Sequence, residues 1–231
     1  VIEAGGARLV TDPLLRRRIF HLRRSVDAPR SIAGIDAVLV SHVHWDHLDM
    51  RSLDRLGRSI PVVIPRGAGK LLARRGFRHV TELAAGEVAT FGGVEVRATY
   101  AEHDTRRRPR RAEAPALGYV ISGSWQVYFA GDTDLFPGMS EIGVGLDVAL
   151  LPVSGWGPTL PPGHLDPRRA AEALRLLRPK HAVPIHWGTY SPLFGRRSRS
   201  EPAAEFRRYA GELAPEVDVR VLAPGESVTF P

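Results

Sequence analysis

The sequence predicts an α+β fold in which mixed β-sheets are covered by helices, and three observations carry that prediction. Short apolar runs with period-two or continuous patterning recur along the chain, bounded by Gly or Pro. Some are joined as hairpins, at 87 to 100 around Gly92-Gly93 and at 117 to 130 around Gly123-Ser124, while others alternate with helical segments, which mixes antiparallel with parallel pairing. With 231 residues, 43% hydrophobic and 25% charged, one substantial core is within reach, so residues 1–231 are expected to form a single domain.

Taken in order, strands are expected near 8 to 10, 36 to 41, 61 to 64, 87 to 90, 93 to 100, 117 to 122, 125 to 130, 147 to 152, 181 to 185, 217 to 222 and 226 to 230. Val1-Ile2-Glu3-Ala4 reads as the end of a strand entering a turn at Gly5-Gly6, so one or two further strands are expected upstream. Two helices are well marked. Residues 167 to 177 open with Pro167 behind an Asp166 cap and place Ala170, Ala173, Leu174 and Leu177 on one face, and 202 to 213 repeats the pattern after Ser200. Shorter helices fit 49 to 56 and 67 to 75, and the Arg-Pro stretch at 106 to 115 reads as an exposed loop.

Composition narrows the chemistry. No apolar run approaches the roughly 20 residues that span a bilayer, and the first residues lack signal-peptide order, so a soluble cytoplasmic protein is expected. The chain has no Cys, which excludes disulfides and thiolate metal sites and leaves imidazole and carboxylate as the available metal ligands. The net charge of +7 comes almost wholly from Arg, since Lys occurs only at 70 and 180. Most of the short Arg runs (16 to 18, 23-24, 196-197) read as solvated surface. Arg106 to Arg111 stands apart because it closely follows a candidate metal ligand, and a guanidinium fork suits phosphate or carboxylate.

That ligand belongs to a wider set. Three His and one Asp fall within 42 to 47, at the end of the apolar run 36 to 40. Neither strand nor helix periodicity points all four side chains one way, so a tight loop is expected. Such a loop splits them, His42 and His44 toward one metal and Asp46 and His47 toward a second about 3.5–4 Å away. Further ligands are expected at other strand ends, and His103, Asp132 and His186 each follow an apolar strand where it gives way to a polar turn. Asp132 is suited to bridging two cations. The donor set is of zinc type, with Mn or Fe as alternatives.

The series His42-x-His44-x-Asp46-His47, His103, Gly131-Asp132-Thr133, His186 resembles the ligand series of the metallo-β-lactamase superfamily along nearly the whole chain, and Thr11-Asp12-Pro13 resembles that family's first motif. Gly163-His164-Leu165-Asp166-Pro167 and Pro184-Ile185-His186-Trp187-Gly188-Thr189 look like the subgroup that includes N-acyl-phosphatidylethanolamine phospholipase D and ascorbate-6-phosphate lactonase. The resemblance implies a four-layer αβ/βα sandwich of two mixed sheets with the metals at one edge. It also implies His42, His44 and His103 on metal one, Asp46, His47 and His186 on metal two, Asp132 bridging, and Asp12 supporting the metal loop. The chain departs from the subgroup in lacking its opening Gly-His-x-Thr strand and its Trp-containing turn after His103, and the second difference bears on substrate.

The implied activity is metal-dependent hydrolysis of a small phosphodiester, phosphorylated lactone or related ester by a metal-bridging hydroxide. Asp46 and Asp132 would orient the nucleophile and His164 would protonate the leaving group. Two other readings stand beside it. The basic balance suits a nucleic-acid-processing nuclease, although superfamily nucleases usually carry a large inserted domain that this chain has no room for. A non-catalytic metal- or ligand-sensing module would keep the same fold. Of the remaining histidines, His21, His79 and His181 read as surface or packing residues, and His164 divides evenly between opening a helix and serving the active site. Trp156 and Trp187 divide between packing and lining a pocket, and Trp45 is expected to pack.

Overall fold

The computed structural model describes residues 1–28, 32–105, 114–154, 160–192 and 201–231. Arg106 to Arg111, Trp156, Arg196-Arg197 and the Ser200 cap lie outside the described residues. A five-stranded sheet has the order β1-β2-β5-β6-β7, with β1 Ile2–Ala4, β2 Ala7–Thr11, β5 Ala37–Leu39, β6 Val62–Pro65 and β7 Val80–Leu83. A seven-stranded sheet has the order β15-β13-β12-β11-β10-β9-β8, with β8 Val88–Phe91, β9 Val94–Tyr100, β10 Leu117–Ser122, β11 Gln126–Phe129, β12 Val148–Pro152, β13 His181–Ile185 and β15 Asp218–Val219. A small third sheet pairs β14 (Tyr190–Pro192), β4 (Leu22–Arg24) and β3 (Arg18–Ile19). The helices are α1 Met50–Leu56, α2 Gly69–Ala73, α3 Met139–Ile142, α4 Pro167–Leu177 and α5 Glu201–Leu213.

Both large sheets are mixed. β1 and β2 form an antiparallel hairpin while β2, β5, β6 and β7 run parallel. In the larger sheet β8 to β11 pair antiparallel and β11, β12, β13 and β15 parallel. Three clusters of buried side chains make this a four-layer sandwich. Leu9, Leu39 and Val63 meet Val96, Leu117 and Ile121 between the sheets. On the outer face of the larger sheet, Tyr128, Ala149 and Leu151 pack against Leu174 of α4 and Phe206 of α5. On the outer face of the smaller one, Val38, Val62 and Ile64 pack against Leu53 of α1 and Leu72 of α2. Each fully buried side chain of this kind stabilises by about 1.5–3 kcal/mol.

Helix α4 forms as its residues dictate. Asp166 accepts from the Arg169 amide at 2.8 Å, Pro167 occupies the first turn, and Arg178 closes the helix in the left-handed region at φ 44. An Asp cap contributes about 1 kcal/mol. The alternation read at 226 to 230 does not become a strand, because the segment finds no ladder partner among the described residues. Phe230 instead packs on Trp125 and His181, with ring centroids 5.6 and 4.4 Å away. Of the run 217 to 222 only Asp218–Val219 pairs. β3, β4, β7, β14 and α3 carry too few alternating apolar residues to announce themselves; β7, for instance, buries only Leu83. No helix among the described residues is long and apolar enough to cross a membrane.

This topology determines where chemistry can sit. β2 and β5 are parallel, as are β11, β12 and β13, and β9 runs the same way as β11 because two antiparallel steps separate them. The residues following β2 and β5 therefore emerge at one edge of the smaller sheet, and those following β9, β11, β12 and β13 at one edge of the larger.

Candidate metal centre

The loop after β5 begins buried and is held from both sheets. The Leu117 amide donates to the Ser41 carbonyl at 2.9 Å, and the Tyr119 hydroxyl donates to the Val40 carbonyl at 2.7 Å. Gly131, at φ 62, is the close point between the sheets: a Cβ there would lie 2.6 Å from Ser41 Cβ and 3.0 Å from the Leu117 carbonyl oxygen. The chain can turn there and deliver Asp132 to the centre only as glycine.

Around this loop the structure gathers His42, His44 and His103 as one group and Asp46, His47 and His186 as another, with ligand-type atoms within 4.8 Å of one another in each. The same limit joins His103, Asp132 and His164, and Asp12, His42 and His47. His44 Nδ1 lies 3.0 Å from His42 Nε2 and 3.1 Å from His103 Nε2. One proton cannot satisfy three converging ring nitrogens, whereas a cation can. Nitrogens around a tetrahedral zinc at about 2.0–2.1 Å stand roughly 3.3 Å apart, close to what is seen. His47 Nε2 lies 3.2 Å from Asp132 Oδ2 and 3.6 Å from Asp46 Oδ2, and His186 Nε2 lies 3.7 Å from Asp132 Oδ1. His47 Nε2 and Asp132 Oδ1 are buried with no hydrogen-bond partner. Orphaned polar atoms of this kind are costly unless something else satisfies them, and they fit a cation site.

The far side of each ring sets its tautomer. Asp12, at φ 38, accepts from the Ser41 amide at 2.7 Å and from the Ser41 hydroxyl and His47 Nδ1 at 2.6 Å each. With its hydroxyl proton committed to Asp12, Ser41 Oγ accepts from His42 Nδ1 at 2.9 Å. His103 Nδ1 donates to the Gly163 carbonyl at 2.7 Å, His186 Nδ1 to the Ser154 carbonyl at 2.8 Å and His164 Nδ1 to the Pro161 carbonyl at 3.0 Å. In all five rings Nε2 is left facing inward. His186 holds φ 62, a conformation costing on the order of 1 kcal/mol for a non-glycine residue. Ser154 holds it from both ends, its hydroxyl donating to the His186 carbonyl at 2.7 Å.

Charge is distributed to match. Burial, reinforced by nearby His47, keeps the His42 imidazole well below its ordinary value. Burial also opposes charge on His47, yet the carboxylates of Asp132, Asp46 and Asp12 outweigh it and raise its pKa well above 6.5. Burial disfavours ionised Asp132, but the neighbouring rings of His47, His186 and His164 hold it well below the usual carboxylate range. Burial lowers His103 as well, only partly offset by Asp132.

Every histidine and aspartate singled out at a strand end converges here, and His164 joins them: its Nε2 lies 3.5 Å from Asp132 Oδ2 and its ring is 4.6 Å from His103. Trp45 packs edge-on against Phe20, centroids 4.7 Å apart, and Trp187 both donates from Nε1 to the Pro184 carbonyl and lines the adjoining cavity. His21 and His79 are exposed, and His181 bonds Asp218 at 3.1 Å away from the centre. Nothing in the side-chain pattern marks the carbonyls of Ser154, Pro161 and Gly163 as acceptors. Gly163 alone was marked by type, since a Cβ on it would come 3.2 Å from His103 Cα. A cavity of about 620 Å³ opens beside Asp46, His47, Asp132 and His186 and runs between the sheets toward Phe129, Leu150 and Phe230.

Residues 7–187 match the family model described as the beta-lactamase superfamily domain. A UPF0173 metal-dependent hydrolase of Rubrobacter xylanophilus is 30% identical over 97% of this chain and 89% of its own length, and one from Caldivirga maquilingensis is 31% identical over 100% and 93%. Among solved structures, Igni18, a metallo hydrolase of Ignicoccus hospitalis, superposes with a TM-score of 0.72 at 26% identity, covering 99% of this chain and 93% of its own.

Proposed function

The chain belongs to the UPF0173 metal-dependent hydrolases of the beta-lactamase superfamily, and we propose that it is a dinuclear enzyme cleaving a phosphodiester, phosphorylated lactone or related small ester. The observation that carries this reading is the pair of three-residue groups flanking Asp132. In it His42, His44 and His103 would hold one divalent cation and Asp46, His47 and His186 a second, with Asp132 placed to serve both. Zinc suits the imidazole-carboxylate donors best, with Mn and Fe as the alternatives. Cations bound there would supply a water acidified toward neutrality and would polarise the scissile oxygen.

The protein's own residues do the rest. Asp46 and Asp132 orient the attacking water by accepting from it. His164 Nε2, which faces Asp132 while Nδ1 is occupied by the Pro161 carbonyl, delivers a proton to the departing oxygen. The Asp12–Ser41 network keeps His42 and His47 from rotating. The loop Gly163-His164-Leu165-Asp166-Pro167 supports the likeness to the phospholipase D and phosphorylated-lactonase subgroup, because here it sets a proton-carrying group beside the centre. Elemental analysis, run on the same sample as a panel of chromogenic phosphodiesters, lactones and thioesters, tests the reading. Two equivalents of metal with cleavage of at least one panel member is the expected result. Two metals with no turnover of any member would favour a sensing module, and full activity in metal-stripped protein would overturn the mechanism.

A further inference from the structure

Arg24 lines the same cavity as Asp46, His47, Asp132 and His186, and no other Lys or Arg does so among the described residues. It ends β4, paired in register with Tyr190, four residues beyond His186, and the Ser25 amide donates to the Thr189 carbonyl at 2.8 Å. Its Nη1 donates to the Leu14 carbonyl at 2.7 Å and to the Tyr190 hydroxyl at 3.3 Å, which clamps the guanidinium plane. Its Nε is buried with no acceptor, and no carboxylate pairs with it among the described residues.

The carboxylates that share the cavity are committed elsewhere. Asp12 holds Ser41 and His47, Glu3 pairs with Arg8 at 3.1 Å, Glu226 accepts from the Ala223 amide at 2.9 Å, and Asp46 and Asp132 face the histidines. A half-buried cation held in place but left without a counter-charge is costly unless an anion completes it. The cavity joins that cation to the metal cluster.

We propose that Arg24 is the anion subsite of this centre, so that the substrate carries a carboxylate or phosphate group set apart from the bond that is cleaved. The proposal rests on the hydrolase reading above and extends it to substrate class. The guanidinium offers an anionic oxygen a fixed positive charge and an N–H donor, and its clamped orientation spares the substrate most of the ordering cost.

The test compares para-nitrophenyl acetate with mono-para-nitrophenyl succinate on metal-loaded full chain, since the two share a leaving group and differ in a remote carboxylate. Arg24→Gln should lower the succinate-to-acetate ratio of kcat/KM by about tenfold or more, the scale of a charge-assisted hydrogen bond, and Arg24→Lys should restore part of it. Calorimetric titration of metal-stripped protein with succinate and with inorganic phosphate supplies a readout free of turnover. Both should bind wild type more tightly than Arg24→Gln, and the tighter of the two identifies the group recognised. A ratio and anion affinities in Arg24→Gln equal to wild type within about twofold would overturn the proposal and leave Arg24 a clamp between β4 and β14. Cleavage of neither ester by wild type would count against the hydrolase reading alone, with the anion titrations still deciding the role of Arg24.

Discussion

His47 Nδ1 donates to Asp12 Oδ2 at 2.6 Å, and through Ser41 the same carboxylate also orients His42. One residue at the end of β2 thus fixes a ring in each of the two three-residue groups. Asp12→Asn keeps the shape but places an amide where two donors converge. Losing such a support usually costs about 10–100-fold in metal affinity. Competition with a chromogenic chelator should show that loss, with the far-ultraviolet dichroism of the variant unchanged; metal affinity equal to wild type would show that the network is dispensable.

Asp132 faces His47, His164 and His186 at 3.2, 3.5 and 3.7 Å. Asp132→Asn is nearly isosteric, so the fold should persist. Metal content should fall by at least one equivalent, and turnover should drop below detection. His42→Ala should likewise abolish turnover.

His164 contributes a proton in the proposed mechanism and is not among the residues assigned to hold metal. His164→Asn should keep the wild-type metal content and lower kcat about 10²–10⁴-fold. The loss should be greatest for esters with poor leaving groups and smallest for nitrophenolates, which need no protonation. An equal loss across leaving groups would remove the acid role.

In the proposed centre, proton and metal compete for His47. In the metal-free protein its pKa is raised well above 6.5, so its contribution to stability is complete below 6.5 and is lost as pH rises through the raised value. The difference in melting temperature between metal-stripped wild type and His47→Gln should therefore shrink as pH rises. Because Nε2 must lose its proton to hold a cation, metal uptake at pH 7 should release protons, visible as a calorimetric enthalpy that varies with buffer ionisation heat, and affinity should fall as pH drops.

Gly131→Ala should destabilise the protein by about 1–3 kcal/mol from overpacking, with further strain from the positive φ. The added methyl would meet Ser41 Cβ at 2.6 Å, at the contact that carries the metal loop. Urea denaturation should show an earlier midpoint with the slope retained, and metal content should fall with stability.

Much of this centre was legible along the chain. The spacing His42-x-His44-x-Asp46-His47 forces a loop because no regular period gathers four such side chains, and His103, Asp132 and His186 announce themselves by following apolar strands. The α4 cap and the apolar faces of α4 and α5 are equally local: each depends on residues within a few positions of one another.

What only the tertiary structure decided acts across distance. Whether His47 offers Nδ1 or Nε2 depends on Asp12, 35 residues away, and the tautomer of His186 depends on the carbonyl of Ser154, 32 away. Backbone carbonyls belong to every residue type, so no side-chain pattern marks the ones that will accept. Arg24 looked like one more surface arginine until β4 paired with β14 and brought it beside Tyr190, 166 residues on. Residue type and local spacing mark a candidate metal-ligand set. The parallel strands, by ending at one edge, determine which atoms meet and which charges are left to face the substrate.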